Sequence, residues 1–192
     1  MSVCAIAYSG RGRLAAAVAH YLQKRGVSVI GIVDRPSASV AALSSMGLEV
    51  FHIQNQAVEW LEVCETHQVR LIALAGFLAL VPSEVVRQYT GRILNSHPAL
   101  LPAFGGPGMY GSHVHKAVAA AGAQESGFTI HYVTERYDEG PMIYQVRLPV
   151  GGLSAHDIEA FVQATEREVY PAIVYRIWCA EAEVPAKSET ER

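Results

Sequence analysis

Residues 3–33 read VCAIAYSGRGRLAAAVAHYLQKRGVSVIGIV. The apolar run 3–8 stops at Ser9-Gly10, residues 13–24 have helical composition with Leu14, Val18, Tyr21 and Leu22 on one side, and 27–33 is again unbroken and apolar. A strand buried on both faces has no polar side to alternate. Two such runs joined by a helix therefore indicate a β-α-β unit in a parallel sheet covered on both faces. The pattern continues with a helix at 37–45, a strand at 49–53, a helix at 57–66 and a strand at 70–75.

The second half changes character. A short strand at 92–94 leads into a Pro- and Gly-rich loop at 97–111 and a helix at 112–121. Strands at 128–134 and 142–150 flank a polar turn at 135–141, which is the mark of an antiparallel pair. Ser154 with Asp157 forms a helix-start pair. Beyond it Ile158, Phe161, Val162, Val169, Ile173 and Ile177 trace a long amphipathic helix that Pro171 is expected to kink. Residues 181–192 are polar and read as a frayed tail. The expected fold is α/β and Rossmann-like, in three layers. It has a mostly parallel twisted sheet, a C-terminal antiparallel part and a long C-terminal helix, all in a single domain over 1–180.

Composition narrows the function. Of 192 residues, 51% are apolar and 17% charged, with a net charge of −3 and no basic run. That profile fits a globule acting on small molecules and argues against a nucleic-acid surface, which needs clustered Lys and Arg. Cys4, Cys64 and Cys179 have no metal-ligand or disulfide spacing, so they read as reduced residues in a cytoplasmic setting. No apolar run approaches the roughly 18 residues of a membrane span. The spacing leaves the choice between monomer and homodimer open.

The loop Ser9-Gly10-Arg11-Gly12-Arg13-Leu14-Ala15 joins the first strand to the first helix. Three readings stand. Free N–H groups at the helix start can hold a phosphate. Read as G-x-G-x-x-A, with Asp34 ending the second strand, the loop matches a dinucleotide fingerprint and hence a nicotinamide-dependent oxidoreductase. It is also compatible with a tight turn that binds nothing.

The chain from Leu71 runs LIALAGFLALVPSEVVRQYTGRILNSHPALLPAFGG. Its Asn95-Ser96-His97-Pro98-Ala99-Leu100-Leu101-Pro102 resembles the N-x-H-P-S-L-L-P signature of the folate-dependent formyltransferases, and among them the glycinamide ribonucleotide transformylase family. Ala75-Gly76-Phe77, Thr129-Ile130-His131-Tyr132-Val133, Tyr137-Asp138-Glu139-Gly140-Pro141 and Glu166 before Tyr170-Pro171 match in the same order. The resemblance implies formyl transfer from 10-formyltetrahydrofolate to the primary amine of glycinamide ribonucleotide, a step of purine biosynthesis, without a metal.

It further implies Asn95, His97 and Asp138 as catalytic residues. Folate is placed against Leu78, Ala79, Leu80 and Val81 and against His131, Thr134, Glu135 and Tyr137. The acceptor is placed against Gly10, Arg11, Gly12, Arg13 and Glu166, the last being a glutamate that contacts the substrate amine. On this reading 1–90 is the acceptor half and 91–180 the catalytic and folate half.

The residue types suit the chemistry. An amine attacking a formyl carbon generates negative charge on oxygen, and donors placed there lower the barrier. Asn95 and His97, two apart on extended chain, face one way. Asp138 can orient His97 or carry the proton that the amine loses. Taken singly, Asn95 could cap a turn, His97 could be a core histidine, Asp138 an ordinary turn residue and His131 a structural strand residue. His113 and His115 with His97 and Asp138 could be proposed as metal ligands, but the resemblance implies none.

The departures from the family cluster on the acceptor side. A G-x-G-S-N loop is usual, yet Arg13-Leu14 stands at the Ser-Asn positions, and Asp34-Arg35 replaces a second Ser-Asn. This opens a second reading with another amine acceptor, such as an amino sugar or a nucleotide-linked amine. Outside that chemistry, a non-catalytic folate-binding relative also remains open.

Overall fold

The apolar run that begins the chain, β1 (Val3–Tyr8), lies inside a seven-stranded sheet. Across the sheet the order is β3 (Val50–His52), β2 (Ser28–Val33), β1, β4 (Val69–Leu74), β5 (Ile93–His97), β6 (Glu125–Tyr132) and β7 (Met142–Pro149). The first five strands are mutually parallel, β6 is antiparallel to β5, and β7 is antiparallel to β6. The computed structural model describes residues 2–35 and 40–183.

Alternation along β1 feeds two apolar clusters. Cys4, Ile6 and Tyr8 pack on one face with α1 (Arg13–Gln23), α2 (Val40–Ser44), α5 (Ser112–Ala120) and α6 (Ala155–Glu183). Ala5 and Ala7 pack on the other with α3 (Ala57–Thr66) and α4 (Ser83–Gln88). Both faces are therefore covered, which is why the central strands are continuously apolar. The expected class holds: three layers, a mostly parallel sheet with an antiparallel end, and a long C-terminal helix.

Several boundaries differ from the sequence expectation. Helix α4 was not expected; it is only 6 residues long, too short for a helical period to show. Strand β6 starts at Glu125, earlier than its apolar pattern, because pairing with β7 extends it through Glu125↔Pro149 and Gly127↔Arg147. Long-range pairing overrides local propensity there. His97, expected in the loop, is the last residue of β5 and pairs with Thr129. Of the expected helix 37–45, residues 37–39 lie outside the described residues.

Helix α6 starts on the expected capping pair, with the Ser154 hydroxyl 2.6 Å from the Asp157 carboxylate and accepting the Asp157 N–H at 3.2 Å. It continues through Pro171 without a break. Residues 181–183, expected in the tail, are its last helical residues, and 184–192 lie outside the described residues. The three cysteines are unpaired. Among the described residues no helix is long and apolar enough to cross a membrane.

The strand order reverses between β1 and β4, and the helices that follow them, α1 and α4, lie on opposite faces of the sheet. That divergence opens a crevice at the strand C-terminal ends, where ligands of open α/β sheets bind.

Candidate active site

The end of β5 presents Asn95 and His97 on one face of the sheet and Ser96 on the other. Register places His131 of β6 directly beside Asn95. The turn after β6 brings in Asp138, whose φ of 57° is the left-handed conformation that aspartate tolerates better than most residues. Three of the expected residues, with His131, thus converge on one point from three chain segments.

The hydrogen bonds fix much of the protonation. His131 Nδ1 lies 2.9 Å from the Tyr132 carbonyl, so it carries the proton there. His131 Nε2 is then left to accept from the Asn95 amide at 3.2 Å. His97 Nε2 donates to the Phe104 carbonyl at 2.8 Å, while Nδ1 lies 3.4 Å from Asp138 Oδ2. The same Oδ2 accepts the Gly106 N–H at 2.9 Å, and Oδ1 is 3.7 Å from His131 Nε2. Burial holds the His97 pKa below the usual imidazole value, against the opposing pull of Asp138 and the Phe104 carbonyl. Burial pushes the Asp138 carboxyl up, but the two histidine rings and the Gly106 amide outweigh it and hold the group below the usual range.

Glu166 sits apart, on α6 behind the sheet. It is 7% exposed and accepts from Ser96 Oγ at 2.6 Å. Burial pushes its carboxyl up to about 7, with the Ser96 hydroxyl and Arg167 pulling the other way.

These groups line a cleft of about 710 Å³. One arm is made by Leu78, Ala79, Leu80 and Val81 after β4, with His131, Thr134 and Tyr137 opposite. The other arm is Gly10, Arg11, Gly12 and Arg13, with Gln163, Glu166 and Arg167 from α6. The Ser9 hydroxyl accepts the Leu78 N–H at 2.9 Å and so ties the two arms together. Gly12 begins α1 with a φ of 68°. A Cβ there would lie 2.7 Å from the Ala42 Cβ, so this turn is tied to packing as well as to any ligand.

Two expectations are corrected. Glu135 is absent from the cleft lining and lies 3.4 Å from Arg87, whereas Arg136, Tyr137 and Asp138 line the cleft. Asp34, the acid of the dinucleotide reading, is absent from the cleft lining; its side chain is 7% exposed and lies 3.9 Å from Arg35 Nε. Sequence reasoning also passed over Ser96, Phe104, Gln163 and Arg167. Only Gln163 and Arg167 carried a signal, one and four residues along the helix from Val162 and Gln163 respectively, on the turns of α6 that hold Glu166. Among the described residues no group of three or more His, Cys, Asp or Glu side chains is placed to hold a metal.

A family model described as formyl transferase matches residues 3–174. The chain belongs to the formyl transferase family. The match runs from β1 into α6 and includes both arms of the cleft and the Asn95–His97 strand end. A phosphoribosylglycinamide formyltransferase of Bacillus subtilis (strain 168) is 32% identical over 163 residues, 76% of this chain and 77% of the relative. A chloroplastic one of Vigna unguiculata is 46% identical over 108 residues, 56% of this chain and 35% of the relative. The chain spans about a third of that plant relative's length. The solved glycinamide ribonucleotide transformylase 1 of Geobacillus kaustophilus superposes with a TM-score of 0.81 at 30% identity, covering 92% of this chain and 98% of that one. The chain therefore shares the fold of the solved relative over nearly its whole length, glycine loop to C-terminal helix.

Proposed function

We propose that the protein transfers the formyl group of 10-formyltetrahydrofolate to the primary amine of glycinamide ribonucleotide, in purine biosynthesis. The observation that carries this reading is the meeting of Asn95, His97, His131 and Asp138 at the junction of two cleft arms. One arm is largely apolar and suits a pteridine. The other opens at a helix N-terminus flanked by arginines and suits a phosphate. Relatives that bear the name phosphoribosylglycinamide formyltransferase support formyl transfer to the same acceptor.

In this reading the amine attacks the formyl carbon and the carbonyl oxygen becomes an oxyanion. Asn95 has one N–H on His131 and offers the other to that oxygen. In its cationic form, which the Asp138 carboxylate favours, His97 also offers Nδ1–H, its 3.4 Å contact to Asp138 being long enough to be redirected. Asp138 takes the proton that the amine loses, and the folate nitrogen leaves as it regains one. Atoms balance without a metal or a covalent intermediate. Glu166, buried and facing the acceptor arm, contacts the acceptor. The 1–90 half supplies the glycine loop of the acceptor arm and the 91–180 half the catalytic strand end, while Leu78–Val81 serve the folate arm and α6 the acceptor arm, so each arm draws on both halves. A cytoplasmic enzyme with small-molecule partners, monomeric or homodimeric, fits this chemistry.

One observation favours a second acceptor. Arg11 and Arg13 bring charge to the loop where a hydroxyl and an amide are usual, which suits a more anionic amine such as a nucleotide-linked one. A panel assay separates the readings. The purified protein is given 10-formyltetrahydrofolate with glycinamide ribonucleotide and with other phosphorylated amines, and product is followed by mass. Formylated glycinamide ribonucleotide is expected. Transfer only to another amine would replace the acceptor. Folate binding with no transfer would leave a binding relative, and saturable NADH binding would restore the oxidoreductase.

A further inference from the structure

We infer that Phe104 is a positioning residue: its backbone carbonyl, aimed by a left-handed backbone, keeps the proton on His97 Nε2, so that His97 gains and loses protons only at Nδ1, on the Asp138 side. The assignment rests on His97 being the acid–base group of the proposed reaction, and it names the atom at which that group works.

Phe104 has a φ of 55°. A bulky aromatic residue is an outlier in that region and keeps it only when its surroundings dictate the conformation. The surroundings here do so. Upstream, the Leu101 N–H is held by the Thr129 hydroxyl at 3.0 Å, and the Leu101 carbonyl accepts from Gln145 at 3.2 Å. Downstream, the Gly106 N–H is held by Asp138 Oδ2 at 2.9 Å. Between them, a Cβ on Gly105 would lie 2.5 Å from Leu101 Cδ2 and 3.4 Å from Asp138 Cβ, so the segment passes close against the Leu101 side chain and the Asp138 turn. The Phe104 side chain packs against the larger apolar cluster. The strained residue is thus pinned on both sides, and its carbonyl lies 2.8 Å from His97 Nε2.

A carbonyl oxygen only accepts, at every pH. The nitrogen facing it therefore keeps its hydrogen whether the ring is neutral or cationic. The other nitrogen faces a carboxylate at 3.4 Å, close enough for proton exchange and long enough to leave room for a substrate atom. The second left-handed residue of the site, Asp138, supplies that carboxylate and also holds the loop through Gly106. The titratable groups that bear on the ring are Asp138 from the β6–β7 turn, His131 from β6 and His115 from α5. Of these, only Asp138 makes a polar contact with a His97 ring nitrogen among the described residues.

The test is long-range proton–nitrogen NMR on the full chain labelled with 15N-histidine, titrated from acid to alkaline pH, with His97 assigned by comparison with His97→Gln. Nε2 is expected to keep a protonated-type shift throughout, while Nδ1 alone moves. Titration at Nε2, or a neutral ring protonated on Nδ1, overturns the inference. Two variants separate positioning from packing. Phe104→Asn tolerates the left-handed conformation and should keep the wild-type pattern. Phe104→Pro fixes φ near −65° and so turns the carbonyl away from Nε2; it should show both tautomers and a turnover lower by on the order of tenfold, with KM values little changed. A wild-type tautomer pattern in Phe104→Pro also overturns the inference. If Nε2 holds its proton in a protein that formylates no amine, the functional reading fails and the tautomer assignment stands.

Discussion

Asn95, His97 and Asp138 each have an ordinary explanation when read alone, and the contacts between them remove it. A turn cap would not sit against His131, and a core histidine would not face a carboxylate whose other contacts are a second histidine and a loop amide. His97→Ala and Asp138→Ala are each expected to lower turnover at least ~100-fold, the usual scale of general acid–base contributions, with circular dichroism unchanged. Near-normal turnover in either variant would refute these roles. Glu166 makes a separate prediction. Its carboxyl titrates near 7 in the fold against an ordinary value of 4.5, because burial favours the neutral form. The native state therefore binds a proton that the unfolded chain has released, and stability falls as pH rises from about 4.5 through about 7, by about 3 kcal/mol in all. Glu166→Gln should gain stability relative to the wild type between pH 5 and pH 8.5. Parallel stability–pH curves for the two proteins would show that the buried carboxyl carries no such penalty. These residues were legible because the sequence preserves them in order. Phe104 was not, since it acts through a carbonyl that every residue possesses, and Glu135 was misplaced because a polar turn gives no period from which to infer facing.

At the scale of elements, legibility followed length and burial. The central strands β1, β2 and β4 are covered on both sides and announced themselves as apolar runs, whereas β6 owes its first residues to its partner and α4 is too brief to show a period. The glycine loop had three readings that its composition could not separate. The structure adds a packing requirement at Gly12 that holds under any of them. Gly12→Ala must take a φ of 68° and bring its Cβ to 2.7 Å from Ala42, so it is expected to cost about 2 kcal/mol or more. Gly10→Ala meets nothing within 4 Å and has no left-handed backbone to lose, so it should be close to neutral. Urea denaturation of the two variants checks this pair; equal losses would contradict the geometry. Ser154→Ala removes both contacts of the α6 start and should cost about 1 kcal/mol by the same measurement.

At the scale of the molecule, charge is distributed against the average. The chain carries −3 overall, yet the acceptor arm collects Arg11, Arg13 and Arg167, none of which has an ion-pair partner among the described residues. Screening of those charges should make kcat/KM for a phosphorylated acceptor fall as salt rises, and Arg13→Ala should flatten that dependence. A slope unchanged by the substitution would move anion recognition elsewhere. The three-layer architecture was legible because alternating strands and helices leave few topologies open. The long-range placement of α6 was not, since amphipathicity says that a helix is covered and not what covers it. Helix α6 packs on α1 and α5, its Tyr170 hydroxyl donates to the Leu74 and Leu94 carbonyls of β4 and β5, and Arg70 of β4 reaches the Trp178 carbonyl. Every strand and the other five helices precede it in the sequence. A chain emerging from a ribosome can therefore pair β1 with β2 and β4 early, while the part of one face that α6 covers, beside α1 and α5, stays exposed until about residue 174 is free to fold back. A nascent protein of this kind needs shelter on one face for most of its synthesis, and stalled chains ending before α6 should be clients of holding chaperones.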